Sequence, residues 1–229
     1  MKRSEINSLI IDGLAFFDQM NFRLPVWAHW TPEKWKTRRH QIQEIVNLML
    51  GWDVTDFGKG DFRKTGLLLF TIRNGDFRHL HKHKCYAEKI MIVGESQETP
   101  LHFHWNKTED IINRGGGNLL IEVCCSAENE LLSDQPVTVK IDGIPRTVDP
   151  MGKITLTPGE SICLEPHVYH RFYGEKGKGR VLVGEVSSVN DDTSDNRFFE
   201  ALGRFPEIEE DENPLYLLVT DYSTYLSRD

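Results

Sequence analysis

No apolar stretch in the 229-residue chain approaches the roughly 20 residues needed to cross a bilayer as a helix, so no helical membrane span is expected. Cysteine is scarce. Of its four copies, Cys85, Cys124, Cys125 and Cys163, two are sequence neighbours, which seldom bridge each other, so no disulfide framework is expected. A reducing cytoplasm is the simplest setting for such a chain. Positive charge is in deficit. The 27 Lys and Arg face 35 Asp and Glu, a net charge of −8, which argues against a nucleic-acid partner but leaves a neutral solute such as a sugar open. The start, MKRSEINSLIIDGLAFFDQM, lacks an unbroken apolar segment because Glu5, Asp12 and Asp18 interrupt it. It reads as an amphipathic helix rather than a signal peptide.

Five tryptophans and twelve phenylalanines give bulk for a sizeable core. Ile6, Leu9, Ile10, Leu14 and Phe17 recur at helical spacing, predicting a helix over 4–20. A second helix is expected from TPEKWKTRRHQIQEIVNLMLGW, with Thr31 as N-cap, Pro32 at the first position and Gly51 as a stop. From about residue 66 the pattern changes to short apolar runs split by turn signals, including IDGIPRTV, whose Asp-Gly marks a hairpin. The expected fold is mainly β, a sandwich or small barrel. We expect one domain over 1–229, with a helical extension over 1–65, a β-barrel core over about 66–190, and a C-terminal segment over 191–229 packed on the barrel. The acidic run EIEEDENP is expected to be solvated.

Two stretches are rich in histidine. In LHFHWNKTEDIINRGGG, His102 and His104 fall on one face of a strand, and a bend across WNKT can return Glu109 beside them. Two imidazoles and a carboxylate suit Mn, Fe, Co, Ni or Zn, and a fourth ligand would come from PGESICLEPHVYHRF, which offers His167 and His170. The other stretch, RHLHKHKC, carries His79, His81 and His83 but is followed by no carboxylate until Glu88 and by no closing glycines, and is read as a solvated basic stretch.

The ordering His-x-His, four residues, Glu, glycines, and later Pro-Gly-Glu then Pro-x-x-x-His, resembles the two-motif signature of cupins, small β-barrels or jelly rolls. That resemblance implies His102, His104, Glu109 and His170 as the metal ligands, with His167 standing where many cupins have glycine. YAEKIMIV, HFHWNKTEDIINRGGGNL and GEVSSVNDDTSDNRFF together closely resemble the D-lyxose isomerase family, manganese-dependent cupin isomerases, with the likeness densest over 86–120 and 158–199. This implies interconversion of D-lyxose and D-xylulose, often with D-mannose and D-fructose as a second pair. It also implies Mn²⁺, with Co²⁺, Fe²⁺ or Zn²⁺ as substitutes, and a homodimer. Such a reaction moves a proton or hydride between C1 and C2, and a bound divalent cation would acidify the C2 proton.

By the same resemblance Glu185 is the expected base and Lys89 the group meeting developing oxyanion charge. Lys107, between the ligands, competes with Lys89 and is otherwise a sugar contact, as are Asp195 and Arg197 in the loop VNDDTSDNRFF. A bland reading leaves Lys89 exposed and pairs Glu185 with Arg171 or Arg180. Two other functions share the ligand set: an Fe(II) cupin dioxygenase and a non-catalytic sugar-binding cupin. The polar residues expected around the site oppose the first, and a complete ligand set would be idle in the second.

Overall fold

In the computed structural model, residues 1–79 and 84–226 are described. Helix α1 (Arg3–Gln19) is followed by two short helices, α2 (Pro32–Thr37) and α3 (Gln43–Asn47). Thirteen strands come next: β1 (Gly51–Thr55), β2 (Leu67–Arg73), β3 (Tyr86–Val93), β4 (Thr99–Phe103), β5 (Glu109–Gly116), β6 (Leu119–Cys125), β7 (Val137–Ile141), β8 (Ile144–Val148), β9 (Gly152–Leu156), β10 (Ser161–Leu164), β11 (Val168–Gly174), β12 (Val181–Ser188) and β13 (Arg197–Phe198). A last helical turn, α4, spans Tyr222–Tyr225.

The strands form two antiparallel sheets. One has eight strands in the order β1-β2-β3-β12-β5-β10-β7-β8, and the other has five in the order β13-β4-β11-β6-β9. Between them lies a core that includes Leu69, Met91, Ile111, Ile121, Ile154, Phe172 and Val183. Strands β2 and β3 are buried on both faces. Leu67 and Leu69 join that core, while Leu68, Phe70, Ile90 and Ile92 pack under Ile6, Ile10 and Phe17 of α1. That double burial is why both strands read as continuous apolar runs rather than alternating ones. The β7–β8 hairpin pairs Ile141 with Ile144, and Asp142 and Gly143 take positive φ of 49° and 81°, as an Asp-Gly hairpin turn requires.

Two expectations for the first 65 residues are corrected. The second helix is broken: α2 ends after Thr37, a 3₁₀ turn spans Arg39–Gln41, and α3 is only five residues long. Between Trp35 and Ile42 the run KTRRHQ has no apolar side chain to hold a helical face against the protein, and propensity alone does not sustain so short a helix. Strand structure also begins at Gly51, well before residue 66, because Trp52 and Val54 complete the face buried beneath α1. Gly51 itself has φ +134°, and a Cβ there would meet the Tyr222 hydroxyl at 2.3 Å.

The acidic run is not simply solvated. Glu209 exchanges backbone hydrogen bonds with the N-terminal segment, and the buried guanidinium of Arg3 binds Glu210 at 2.6 Å and Asp221 at 2.8 Å. Asn7 donates to Glu212 and to the Asn213 carbonyl. No described helix is long and apolar enough to cross a membrane, and all four cysteines are free.

Candidate metal centre and active site

Strand β4 carries His102 into the space between the sheets, and His170 on β11 is its direct partner in the ladder. Pro100 of β4 sits at the register irregularity of that pairing, where a missing N–H costs no ladder bond. On the opposite side of β4, Phe103 packs against Trp105 and Tyr169, as strand alternation requires. The chain then crosses to the larger sheet, so that Glu109 opens β5 facing the histidines. Gly115 and Gly116 close that strand with φ of +141° and +89°, and a Cβ on Gly116 would meet the Arg180 carbonyl at 2.2 Å.

His102, His104, Glu109 and His170 are all buried, and one donor atom of each lies within 4.8 Å of the others. The three Nδ1 atoms face backbone carbonyls of Pro100 (2.7 Å), Asp195 (2.7 Å) and Val168 (3.0 Å). A carbonyl only accepts, so each Nδ1 bears the proton and each Nε2 presents a lone pair to the cluster. The Nε2 atoms of His104 and His170 are buried and have no hydrogen-bond donor, although they stand 3.5 and 2.9 Å from Glu109. Buried acceptors are rarely left this way without a reason, and a cation would satisfy both. Burial, with the neighbouring rings, holds His102 well below its ordinary pKa; burial, with Lys107, lowers that of His104, and both rings stay neutral. Burial would raise the pKa of Glu109, but the Lys107 ammonium beside it outweighs that and leaves the carboxylate ionised. The residues present therefore fit a divalent metal ion.

Of the two histidines offered by the second motif, His170 joins the cluster. His167 does not: it is exposed, its ring lies against Phe103, and its φ is +64°. That left-handed backbone is the reason a glycine would suit the position. His79 faces Asp76 at 2.9 Å in a 3₁₀ turn, and His81 and His83 lie outside the described residues.

Beside the cluster stands a string of alternating buried charges. Lys107 Nζ is 2.7 Å from Glu109 and 3.0 Å from Glu185. Lys89 Nζ is 3.4 Å from the same Glu185 oxygen and 3.5 Å from Asp192. Arg204 then links Asp192, at 3.4 Å, to Asp53, at 2.7 Å. Lys89 is thus buried rather than exposed. Arg171 and Arg180 are engaged elsewhere, with Glu122 and Asp12, and do not pair with Glu185. Burial opposes ionisation of Glu185, but Lys107 and Lys89 prevail and pull its pKa below the ordinary value. The Asn190 side-chain oxygen accepts from Lys89 at 2.7 Å and from Lys107 at 3.4 Å. Asn74 grips the Asn190 backbone at both ends, donating to its carbonyl and accepting from its N–H.

Two expected sugar contacts stand elsewhere. The Asp195 carboxylate accepts from the backbone N–H groups of Asn106 and Lys107, and its carbonyl holds the His104 ring, so it shapes the ligand loop rather than lining the cavity. Arg197 pairs with Glu130 at 2.8 Å, also outside the cavity. Polar side chains that do line it, beyond the ligands, lysines and Glu185, include Thr99, Asp192, Asn196 and Arg204. Asp192 and Asn196 lie in the loop singled out for sugar contact. Arg204, in LGRFPE, carries no spacing or composition signal that separates it from a surface arginine.

Paired antiparallel sheets enclosing three imidazoles, a ligating-type carboxylate and a second ionised carboxylate define a cupin-like barrel with a metal-binding centre. The comparisons agree with that class. A sequence model of the D-lyxose isomerase family matches residues 1–222. The D-lyxose/D-mannose isomerase of Serratia proteamaculans is 49% identical over 228 residues, 99% of this chain and 100% of the relative. That of Escherichia coli O157:H7 is 48% identical over 226 residues, 98% of this chain and 100% of the relative. The chain belongs to the D-lyxose isomerase family. In fold it is similar to the L-ribose isomerase of Cellulomonas parahominis, with TM-score 0.59 and 15% identity over 91% of this chain and 98% of that one. The L-ribose isomerase of Acinetobacter sp. DL28 has TM-score 0.59 and 16% identity over the same shares.

Proposed function

We propose that this protein interconverts D-lyxose and D-xylulose, and D-mannose and D-fructose, with a divalent metal held by His102, His104, Glu109 and His170. What carries the reading is the buried cluster beside an ionised Glu185, in a chain 49% identical over nearly its whole length to a D-lyxose/D-mannose isomerase. Manganese is the metal of this reading; the same nitrogen and carboxylate donors also suit cobalt, iron(II) or zinc.

The metal would polarise the C1 and C2 oxygens of the open-chain sugar and so acidify the proton on C2. Glu185 is the base. Its lowered pKa keeps the carboxylate ready to accept a proton from one carbon and return it to the other. Lys89 and Lys107 place two ammonium groups beside Glu185, where they donate to sugar oxygens as negative charge develops on them. Asp192, Asn196 and Arg204 supply further hydrogen bonds to sugar hydroxyls. A cavity lined by so many charged groups suits a polyhydroxylated substrate better than an apolar one attacked by oxygen.

The free thiols fit a reducing cytoplasm, and the quaternary state of this reading is a homodimer, in which an open edge such as β8, with Ile144 exposed, would be covered. The test of the activity is ketose formation from D-lyxose and D-mannose by EDTA-stripped protein resupplied with each metal in turn. Restoration by Mn²⁺ supports the reading, and oxygen uptake without ketose would overturn it. Sedimentation equilibrium decides the dimer.

A further inference from the structure

We propose that the chamber beside the metal cavity is the distal half of the sugar site, seating the carbons farthest from the metal, and that Thr193 at its rim sets how long a sugar the enzyme accepts. This rests on the reading of the chain as a sugar isomerase. The inner cavity has a volume of about 40 Å³, room for a few water molecules but not for a whole sugar. A sugar whose C1 and C2 oxygens meet the ligand cluster must send its remaining carbons elsewhere.

The neighbouring chamber, of about 360 Å³, is the candidate. It shares Asp192 with the inner cavity. Asn190, whose side-chain oxygen accepts from Lys89 and Lys107, also lines it, as does Asp53, the partner of Arg204. The polar row that begins at Glu185 runs into it through the sheet. Glu185 pairs with Lys89, and Lys89 pairs with Thr71, which lines the chamber. A third space, of about 240 Å³, also touches Lys89 and Glu185, but it is lined by Glu88, Ile90, Gly184 and Val186, the outward alternates of the same strands, and so lies beyond the sheet.

The chamber wall offers carboxylate and hydroxyl groups from Asp53, Thr71, Asp191 and Asp192, the chemistry that recognises successive hydroxyls of an acyclic sugar. Thr193 is exposed and stands on the Asp191 carboxylate through its N–H and hydroxyl. A six-carbon sugar reaches one carbon further toward that rim than a five-carbon one, with no change at the metal.

The test is Thr193→Trp, a substitution at an exposed rim position outside the catalytic set. The Mn²⁺-loaded variant and wild type are compared for kcat/KM on D-lyxose and D-mannose. Calorimetric affinity is compared for D-arabinitol and D-mannitol, sugar alcohols that cannot isomerise. The expected result is at least about a tenfold loss for mannose and mannitol, with lyxose and arabinitol within about twofold of wild type. Equal losses for both lengths, or no change for either, overturn the proposal. Wild type inactive on both sugars would instead overturn the reading of the activity, and the polyol titrations would still decide the chamber.

Discussion

Glu185 and Lys89 are cross-strand partners on β12 and β3, with carboxylate and ammonium 3.4 Å apart and their side chains 6% and 4% exposed. Lys107 reaches the same oxygen from the ligand loop at 3.0 Å, so two cations hold one carboxylate. Lys89 touches no ligand residue, whereas Lys107 touches Glu109. Lys89→Met is therefore expected to lower kcat on D-lyxose by about a hundredfold while bound manganese, measured by elemental analysis, stays at the wild-type level.

Asn74 fixes the position of Asn190. Its one amide holds both ends of the Asn190 peptide, and Asn190 in turn accepts from both lysines. Asn74→Ala should loosen this clamp and lower kcat about tenfold, with metal content and overall fold retained. Steady-state kinetics beside circular dichroism check this. A drop confined to the melting temperature would assign Asn74 to stability alone.

Acidification should destabilise the metal-free protein. Burial lowers the folded-state pKa of His102 and of His104 from 6.5, so below that pH the unfolded chain binds protons that the folded chain refuses. Stability from these rings is present above pH 6.5 and is lost as pH falls toward their folded values. Thermal melts of EDTA-treated protein from pH 7.5 to 5.5 should show a falling Tm, a fall reduced in a His102→Phe variant.

The N-terminal clamp should be costly to break. Arg3 is fully buried between Asp221 and Glu210. Arg3→Met leaves the Asp221 carboxylate, 8% exposed, without its cation, a loss of about 3 kcal/mol in denaturant unfolding. Glu210, half exposed, contributes little to that loss.

The β fold and the four clustered residues were legible because they are written in local patterns. Alternation placed His102 and His104 on one face, the Asp-Gly pair marked the β7–β8 turn, and motif order led to His170. The residues that were not legible depend on contacts distant in sequence. Arg204 meets Asp53 across 151 residues, and nothing near either position announces the pair. Strand β1 follows the short helices directly and is recognisable only from the α1 face that it completes. Asp195 lies in a polar loop where the sequence cannot distinguish a carboxylate facing a sugar from one capping the backbone of Asn106 and Lys107. The acidic run 207–214 looks solvated because its partners, Arg3, Ser4 and Asn7, stand some 200 residues away.

The central claim is that Glu185 moves the proton of a sugar held at the histidine–glutamate metal site. It is tested most directly by D-xylulose formation from D-lyxose by wild type and Glu185→Gln, each stripped with EDTA and then loaded with Mn²⁺. The account predicts xylulose from loaded wild type alone, with the variant slower by at least about a hundredfold at equal metal content. Equal turnover by the variant, or by stripped wild type, would contradict it.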